Sequence, residues 1–317
     1  MAAPMRITVM GTGGVGGYFG ARVAHAGQDV HFVARGAHLA AIREHGLRVE
    51  SPRGHLHLQG VQVTDDPASI VSTDLVIFGV KLWDTEAAAE SIRPLVGEDT
   101  AVISFQNGVV KDDILKRLLG ERAVAGGVGY IAATIAEPGL IRHTGAMQKL
   151  VFGEYSGQPS ARLQRFAEAC AAAGIDHELS PHIRRTLWEK FVFLVGLSGT
   201  TATVRTPIGP IRSHPRSRAF LHDLMDEAVQ VARAEGVDLP ENFAADRLAF
   251  CDQLPAAMTS SMHHDLQRGS RLEAPWLSGD VVARGQRLGI ATPCNRAVFD
   301  ILSVHAEGAA GTAAGAA

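Results

Sequence analysis

Met5-Arg6-Ile7-Thr8-Val9-Met10-Gly11-Thr12-Gly13-Gly14-Val15-Gly16 is the stretch whose reading decides the fold. Met5 to Met10 is an apolar, strand-like run, and the glycines follow it directly and open an amphipathic segment. A GxGxxG match alone carries little weight in a chain with 34 glycines. Its place between a strand and a helix gives it meaning, because the mechanism demands that context. Gly11 permits the tight turn, Gly13 lets backbone approach a pyrophosphate, and Gly16 allows the helix to pack closely on the strand. Gly11, Thr12, Gly13, Gly14, Val15 and Gly16 are therefore read as a dinucleotide-binding loop, with the pyrophosphate over the positive end of the helix.

Outward from this loop, β-branched runs alternate with helical ones to about Leu179, the mark of βαβ units and a parallel sheet. Strands are expected at 7–10, 30–34, 75–80 and 101–105, and helices at 15–26, 37–44, 85–92 and 111–119. The segment 47–64 breaks this rhythm at Pro52-Arg53-Gly54 and reads as a hairpin insertion. A second antiparallel piece, 141–155, follows the Pro138-Gly139 turn and is expected to extend the sheet edge. After Ser180-Pro181 the chain reads as helices, with stop signals at Pro207, Gly209-Pro210, Gly236, Pro255 and Pro293. The expected architecture is α/β: a doubly wound Rossmann-type domain over 1–179, an all-helical substrate and catalytic domain over 180–306, and a disordered tail over 307–317.

Composition narrows the class. The chain has 317 residues, 46% of them hydrophobic and 20% charged, which suits a packed globular protein of two domains. A formal net charge of −3 with no basic stripe argues against a nucleic-acid partner. Cys170, Cys251 and Cys294 lie far apart, which suggests neither a disulfide framework nor a zinc site. Neither a secretion signal nor a membrane span of roughly 20 apolar residues is expected. The expected location is therefore cytoplasmic. The adjacent His263 and His264 point different ways on a helix, so no metal site is expected there.

Three further positions bear on the ligand. About 20 residues past the last glycine, where an NAD site places a carboxylate for the ribose 2′-hydroxyl, this chain has Arg35. A guanidinium suits a 2′-phosphate, so the expected cofactor is NADP. Lys81, in Phe78-Gly79-Val80-Lys81, falls at a carboxyl-edge position facing the cofactor. Asn107, in Gln106-Asn107-Gly108, occupies the matching place one strand on, although Asn-Gly is equally a turn dipeptide. In the helical half, Trp188-Glu189-Lys190-Phe191 sets a lysine at the head of an apolar helix. Burial there favours its neutral form and suits it to general acid work. The cluster Thr259 to Asp265 adds hydroxyls and a carboxylate suited to an acid substrate.

In their order along the chain these features resemble the ketopantoate reductase (2-dehydropantoate 2-reductase) family, over about residues 5–305. The motifs that carry the resemblance are GTGGVG, Arg35, Val80-Lys81, Gln106-Asn107-Gly108, Leu187-Trp188-Glu189-Lys190, Ser260-Ser261-Met262 with Asp265, Gly269 and Glu273, and Pro293-Cys294-Asn295. The resemblance implies an oxidoreductase whose active site lies in the cleft between a Rossmann domain and a helical domain. In it NADPH reduces ketopantoate to pantoate, as in pantothenate biosynthesis. By position Lys190 resembles the general acid, Glu273 its acidic companion, and Ser261 a contact to the substrate carboxylate. Asn107 resembles the cleft asparagine near substrate and nicotinamide, and Arg35 and Lys81 resemble the NADP-binding cations.

Family members commonly carry asparagines one and two turns after the lysine to hold the substrate hydroxyl. Leu194 and Ser198 stand there in this chain, which leaves Ser198 as the candidate contact and makes a different 2-keto acid an alternative substrate. A non-catalytic NADP-binding regulator is the alternative from another class. Both a monomer and a homodimer suit the helical half.

Overall fold

The protein, described here from a computed structural model covering residues 3–309, divides after Thr186 into two compact units. The first unit begins as expected, with β1 (Arg6–Met10), α1 (Gly14–His25), β2 (Asp29–Val33) and α2 (Gly36–His45). It continues through β3 (Leu47–Glu50), β4 (Leu56–Leu58), β5 (Gln62–Thr64), β6 (Leu75–Phe78), α3 (Thr85–Ile92), β7 (Ala101–Ser104) and α4 (Val110–Leu119). It is completed by β8 (Val124–Glu137), β9 (Leu140–Gly153), α5 (Ala161–Ala172) and β10 (Asp176–Leu179).

Six strands run parallel in the order β5-β2-β1-β6-β7-β8. This is the doubly wound dinucleotide-binding arrangement, in which ligands bind outside the carboxyl ends of the strands. Ile7, Val9 and Ile77 pack into one apolar layer, while Met10, Val76 and Phe78 pack into another. Burial on both faces is why these strands read as continuous apolar runs rather than alternating ones.

Two expectations about the sheet are corrected. The hairpin of segment 47–64 is β3 with β4 only, Leu47 opposite Leu58; β5 instead pairs parallel with β2 and completes the sheet. The piece after Pro138-Gly139 is not an edge. β9 lies between β8 and β3, and β10 also pairs with it. Its partner β8 was not expected as a strand, because Gly126, Gly127 and Gly129 interrupt its β-branched residues. Glycine within a strand marks close backbone approach, and a Cβ on Gly127 would come within 2.5 Å of Ile103 Cγ2 and 2.8 Å of the Ser104 carbonyl oxygen.

The second unit is helical: most of α6 (Ile183–Val204), then α7 (Ile208–Ser213), α8 (Pro215–Ala234), α9 (Phe243–Gln253), α10 (Ser261–Gln267), α11 (Ser278–Leu288) and α12 (Pro293–Ser303). Gly209-Pro210 does not stop a helix but lies in the first turn of α7, and Pro293 starts α12. Both places tolerate a missing N–H. The expected tail also begins later than residue 307: Glu307 pairs with Arg271, and the Ala309 N–H donates to the Gly269 carbonyl. Residues 310–317 of that segment lie outside the described residues. Among the described residues no helix is long and apolar enough to cross a membrane. The three cysteines are free. Burial raises the Cys251 thiol to about 11 and, with Glu227 nearby, Cys294 to about 12, so both stay protonated and unreactive near neutrality.

Candidate active site

The glycine loop leaves β1 at the carboxyl edge of the sheet. Gly11 has φ +94°, and a Cβ there would lie 2.7 Å from the Val80 backbone nitrogen, so only glycine fits beside the end of β6. A Cβ on Gly16 would meet the Gly11 carbonyl oxygen at 2.3 Å, which is the close helix–strand packing that its place predicts. Gly14 sits against the Ala133 carbonyl of β8. Gly13 differs: a Cβ there meets nothing within 4 Å. The fold has no packing need for glycine at that position, so the space before it is open to a ligand. Helix α1, which starts one residue on, has no side-chain cap and no acid in its first turn. An anion is the natural complement to such an end, and these residues fit a dinucleotide pyrophosphate.

This contrast makes a prediction. Gly13→Ala should leave the thermal midpoint nearly unchanged while weakening dinucleotide binding at least about tenfold, since its methyl meets only the ligand. Gly16→Ala should cost stability by about 1–3 kcal/mol, the usual range for overpacking. Unfolding midpoints together with fluorescence titration of a reduced dinucleotide separate the two effects.

Thr12, expected to touch cofactor, turns its side chain inward: the hydroxyl and the N–H both donate to the Val33 carbonyl, at 2.9 and 3.0 Å. This ties the loop to the end of β2, where Arg35 stands just before α2 with its side chain exposed and makes no cap. His38, one turn further, escaped the sequence reading. Its Nδ1 accepts the Gly139 N–H at 3.0 Å, and its Nε2–H donates to the Thr12 carbonyl at 2.8 Å. The neutral ring thus joins the glycine loop to the β8–β9 turn, and desolvation holds its pKa below the ordinary value of 6.5. The unfolded chain therefore takes up a proton at higher pH than the folded one. The contribution of His38 is present above about pH 6.5 and declines as the pH falls through that value toward the lowered folded one. His38→Gln should lose less thermal stability than the parent between pH 7.5 and 5.5, measured as paired melting curves.

Lys81 follows β6, exposed, with its ammonium 5.5 Å from the Trp83 ring centroid. Asn107 is half-buried just after β7, and Gly108 has φ +80°, so the turn reading of Asn-Gly also holds. Two neighbours set that loop, and neither was given a role from sequence. Gln106 donates to the Val80 carbonyl and to Thr85 Oγ1, both at 2.9 Å, locking the β7 loop to the β6 loop. Lys111, fully buried beneath them, donates to the Ser104 carbonyl at 2.9 Å and to both Asp112 carboxylate oxygens at 3.0 and 3.1 Å.

In the second unit Lys190 is half-buried on α6, two turns in and not at its head as expected, because the helix already starts at Ile183; Leu194, Ser198 and Thr201 follow at spacings that share its face. Ser198 is 2% exposed. The Thr201 hydroxyl donates to the Leu197 carbonyl at 2.6 Å, so the Ser260 hydroxyl donates to Thr201, at 2.8 Å. Ser260 in turn accepts the His263 N–H and caps α10, while the His263 ring meets the Thr201 carbonyl at 2.8 Å. The job of Ser260 is thus to seat α10 on α6, which leaves the exposed Ser261 at the first position of that helix. Glu273 is half-buried, and its carbonyl accepts the Trp276 N–H. Asn295 is structural: its N–H and side-chain amide both donate to Glu227, whose carboxylate caps α12. The sequence candidates therefore fall in two groups. The glycines, Arg35, Lys81 and Asn107 belong to the first unit, while Lys190, Ser198, Ser261 and Glu273 belong to the second.

A sequence model of the ketopantoate reductase PanE/ApbA family matches residues 7–157, and a model of that family's C-terminal region matches 182–306. The chain belongs to the ketopantoate reductase family. The 2-dehydropantoate 2-reductase of Halobacterium salinarum is 31% identical over 94% of this chain and 98% of its own. The uncharacterized oxidoreductase YkpB of Bacillus subtilis is 28% identical over 95% and 99%. Among solved structures, the PanE/ApbA family ketopantoate reductase from Ralstonia eutropha JMP134 superposes with a TM-score of 0.86 at 36% identity, covering 95% of this chain and 98% of that one. Membership of the ketopantoate reductase family makes the chain a pyridine-nucleotide-dependent oxidoreductase.

Proposed function

We propose that this protein reduces a 2-keto acid with NADPH, ketopantoate to pantoate, with Lys190 as the general acid. The observation that carries the reading is the match to both family models together with Lys190, half-buried on the face of α6 that also bears Leu194 and Ser198. When bound, NADPH supplies the hydride that adds to the 2-keto carbon. Lys190 Nζ gives its proton to the carbonyl oxygen as that oxygen gains charge, and recovers one from solvent. Glu273 serves as the acidic companion of the lysine, and Ser261 holds the substrate carboxylate. The backbone at Gly13 and the uncapped start of α1 hold the pyrophosphate, and Arg35 and Lys81 attract the 2′-phosphate. The free, protonated thiols support work in a reducing compartment, the cytoplasm.

One observation favours a second substrate reading: Leu194 stands where a side chain would bond the ketopantoate hydroxyl, and leucine offers no such bond. Sites built around a hydroxyl reject analogues lacking it by large factors, and this site has lost one such group. The deciding experiment compares ketopantoate with 2-keto acids lacking its hydroxyl, following NADPH oxidation. Preference for ketopantoate supports the first reading, and preference for the others supports the second. Inactivity on the whole panel with tight NADPH binding overturns both and supports a non-catalytic dinucleotide-binding role.

A further inference from the structure

The carboxyl ends of β6, β1 and β2 lie side by side, so the loops that leave β6 and β2 flank the glycine loop. Asp84 comes from the first and Arg35 from the second. They meet at 2.5 Å, guanidinium Nη2 to carboxylate Oδ2. Asp84 stands at the N-cap of α3, where an aspartate ordinarily accepts a backbone N–H of its own helix. Its side chain makes no such cap here. The carboxylate has instead turned to the cation that would bind a 2′-phosphate. Arg35 is 81% exposed and Asp84 27% exposed, so both remain reachable.

We propose that Asp84 sets the choice of cofactor: its carboxylate accepts the ribose 2′-hydroxyl of NADH and opposes the 2′-phosphate of NADPH, so the enzyme draws on both. The inference rests on the reductase reading for its dinucleotide and goes beyond it in naming a second reductant. Three charged groups decide the matter. Arg35 and Lys81 attract the phosphate, and Asp84 repels it while occupying one arm of the guanidinium fork. An exposed ion pair is weak and yields to a competing anion, so NADPH still binds, but its margin over NADH shrinks. NADH needs no such displacement, because a carboxylate is the acceptor that its hydroxyl lacks at position 35.

The test is fluorescence titration of the full-length protein with NADH and with NADPH, before and after Asp84→Asn, with Arg35→Met as the companion variant. The ratio of the two Kd values in the parent should be within about tenfold, one decade being 1.4 kcal/mol. Asp84→Asn should move the ratio toward NADPH by about threefold or more, by tightening NADPH and loosening NADH, in line with the cost of like-charge juxtaposition. Arg35→Met should weaken NADPH more than NADH. A ratio that stays put or moves toward NADH in Asp84→Asn overturns the proposal. Because the readout is binding, absence of keto acid turnover would overturn the reductase reading without touching this one.

Discussion

Lys190→Ala is expected to lower turnover of the preferred 2-keto acid by about 10²–10⁴-fold, the range that a positioned general acid supplies. The dinucleotide Kd should be unchanged, because the glycine loop, Arg35 and Lys81 belong to the other unit. The loss should appear in kcat as well as in kcat/KM, since the proton is needed only as the alkoxide forms. Steady-state rates and a separate dinucleotide titration make the measurement. A variant with full turnover and intact binding would remove Lys190 from the chemistry. Equal loss of binding and turnover would mean that it supports the fold instead.

Lys111→Met should have the largest effect on stability. Lys111 is fully buried, and the Asp112 side chain is 3% exposed. Burial holds the lysine pKa below its ordinary value, while Asp112 opposes that shift. Removing one member of a buried pair leaves the other charge uncompensated, at about 3–5 kcal/mol. Here Asp112 would keep the Tyr155 hydroxyl, at 2.6 Å, with the Lys116 charge nearby, and two carbonyls, of Ser104 and Gly127, would each lose a donor. Burial and Asp112 hold the Tyr155 phenol far above its usual range, so it stays a donor but cannot neutralise the carboxylate. The thermal midpoint should fall by roughly 2–4 °C for each kcal/mol in a unit of this size. The double variant Lys111→Met with Asp112→Asn should recover part of that, since no bare charge remains. Because Lys111 underlies the loop that carries Asn107, residual folded protein should also show weakened turnover.

What the sequence determined by itself was local in character. The glycine turn between β1 and α1 and Arg35 just past the end of β2 each depend on a few consecutive residues, or on the fixed reach of one βα unit. The strand and helix order followed because burial on two faces imprints continuous apolar runs, and amphipathic helices imprint their own period. Strand β8 escaped because Gly127 answers to the close approach of Ile103 and Ser104 in β7, and not to strand propensity. The residues that act on the site from a distance were equally silent. Asp84 reaches Arg35 across 49 positions and His38 reaches Gly139 across 101, while Lys111 answers to carbonyls in β7 and β8. In sequence each is an ordinary polar residue near a helix start. Only the sheet register, which brings the carboxyl ends of β6, β1 and β2 together, makes Asp84 a neighbour of the dinucleotide loop. Only the burial of α4 against that sheet turns Lys111 from a solvated lysine into an anchor.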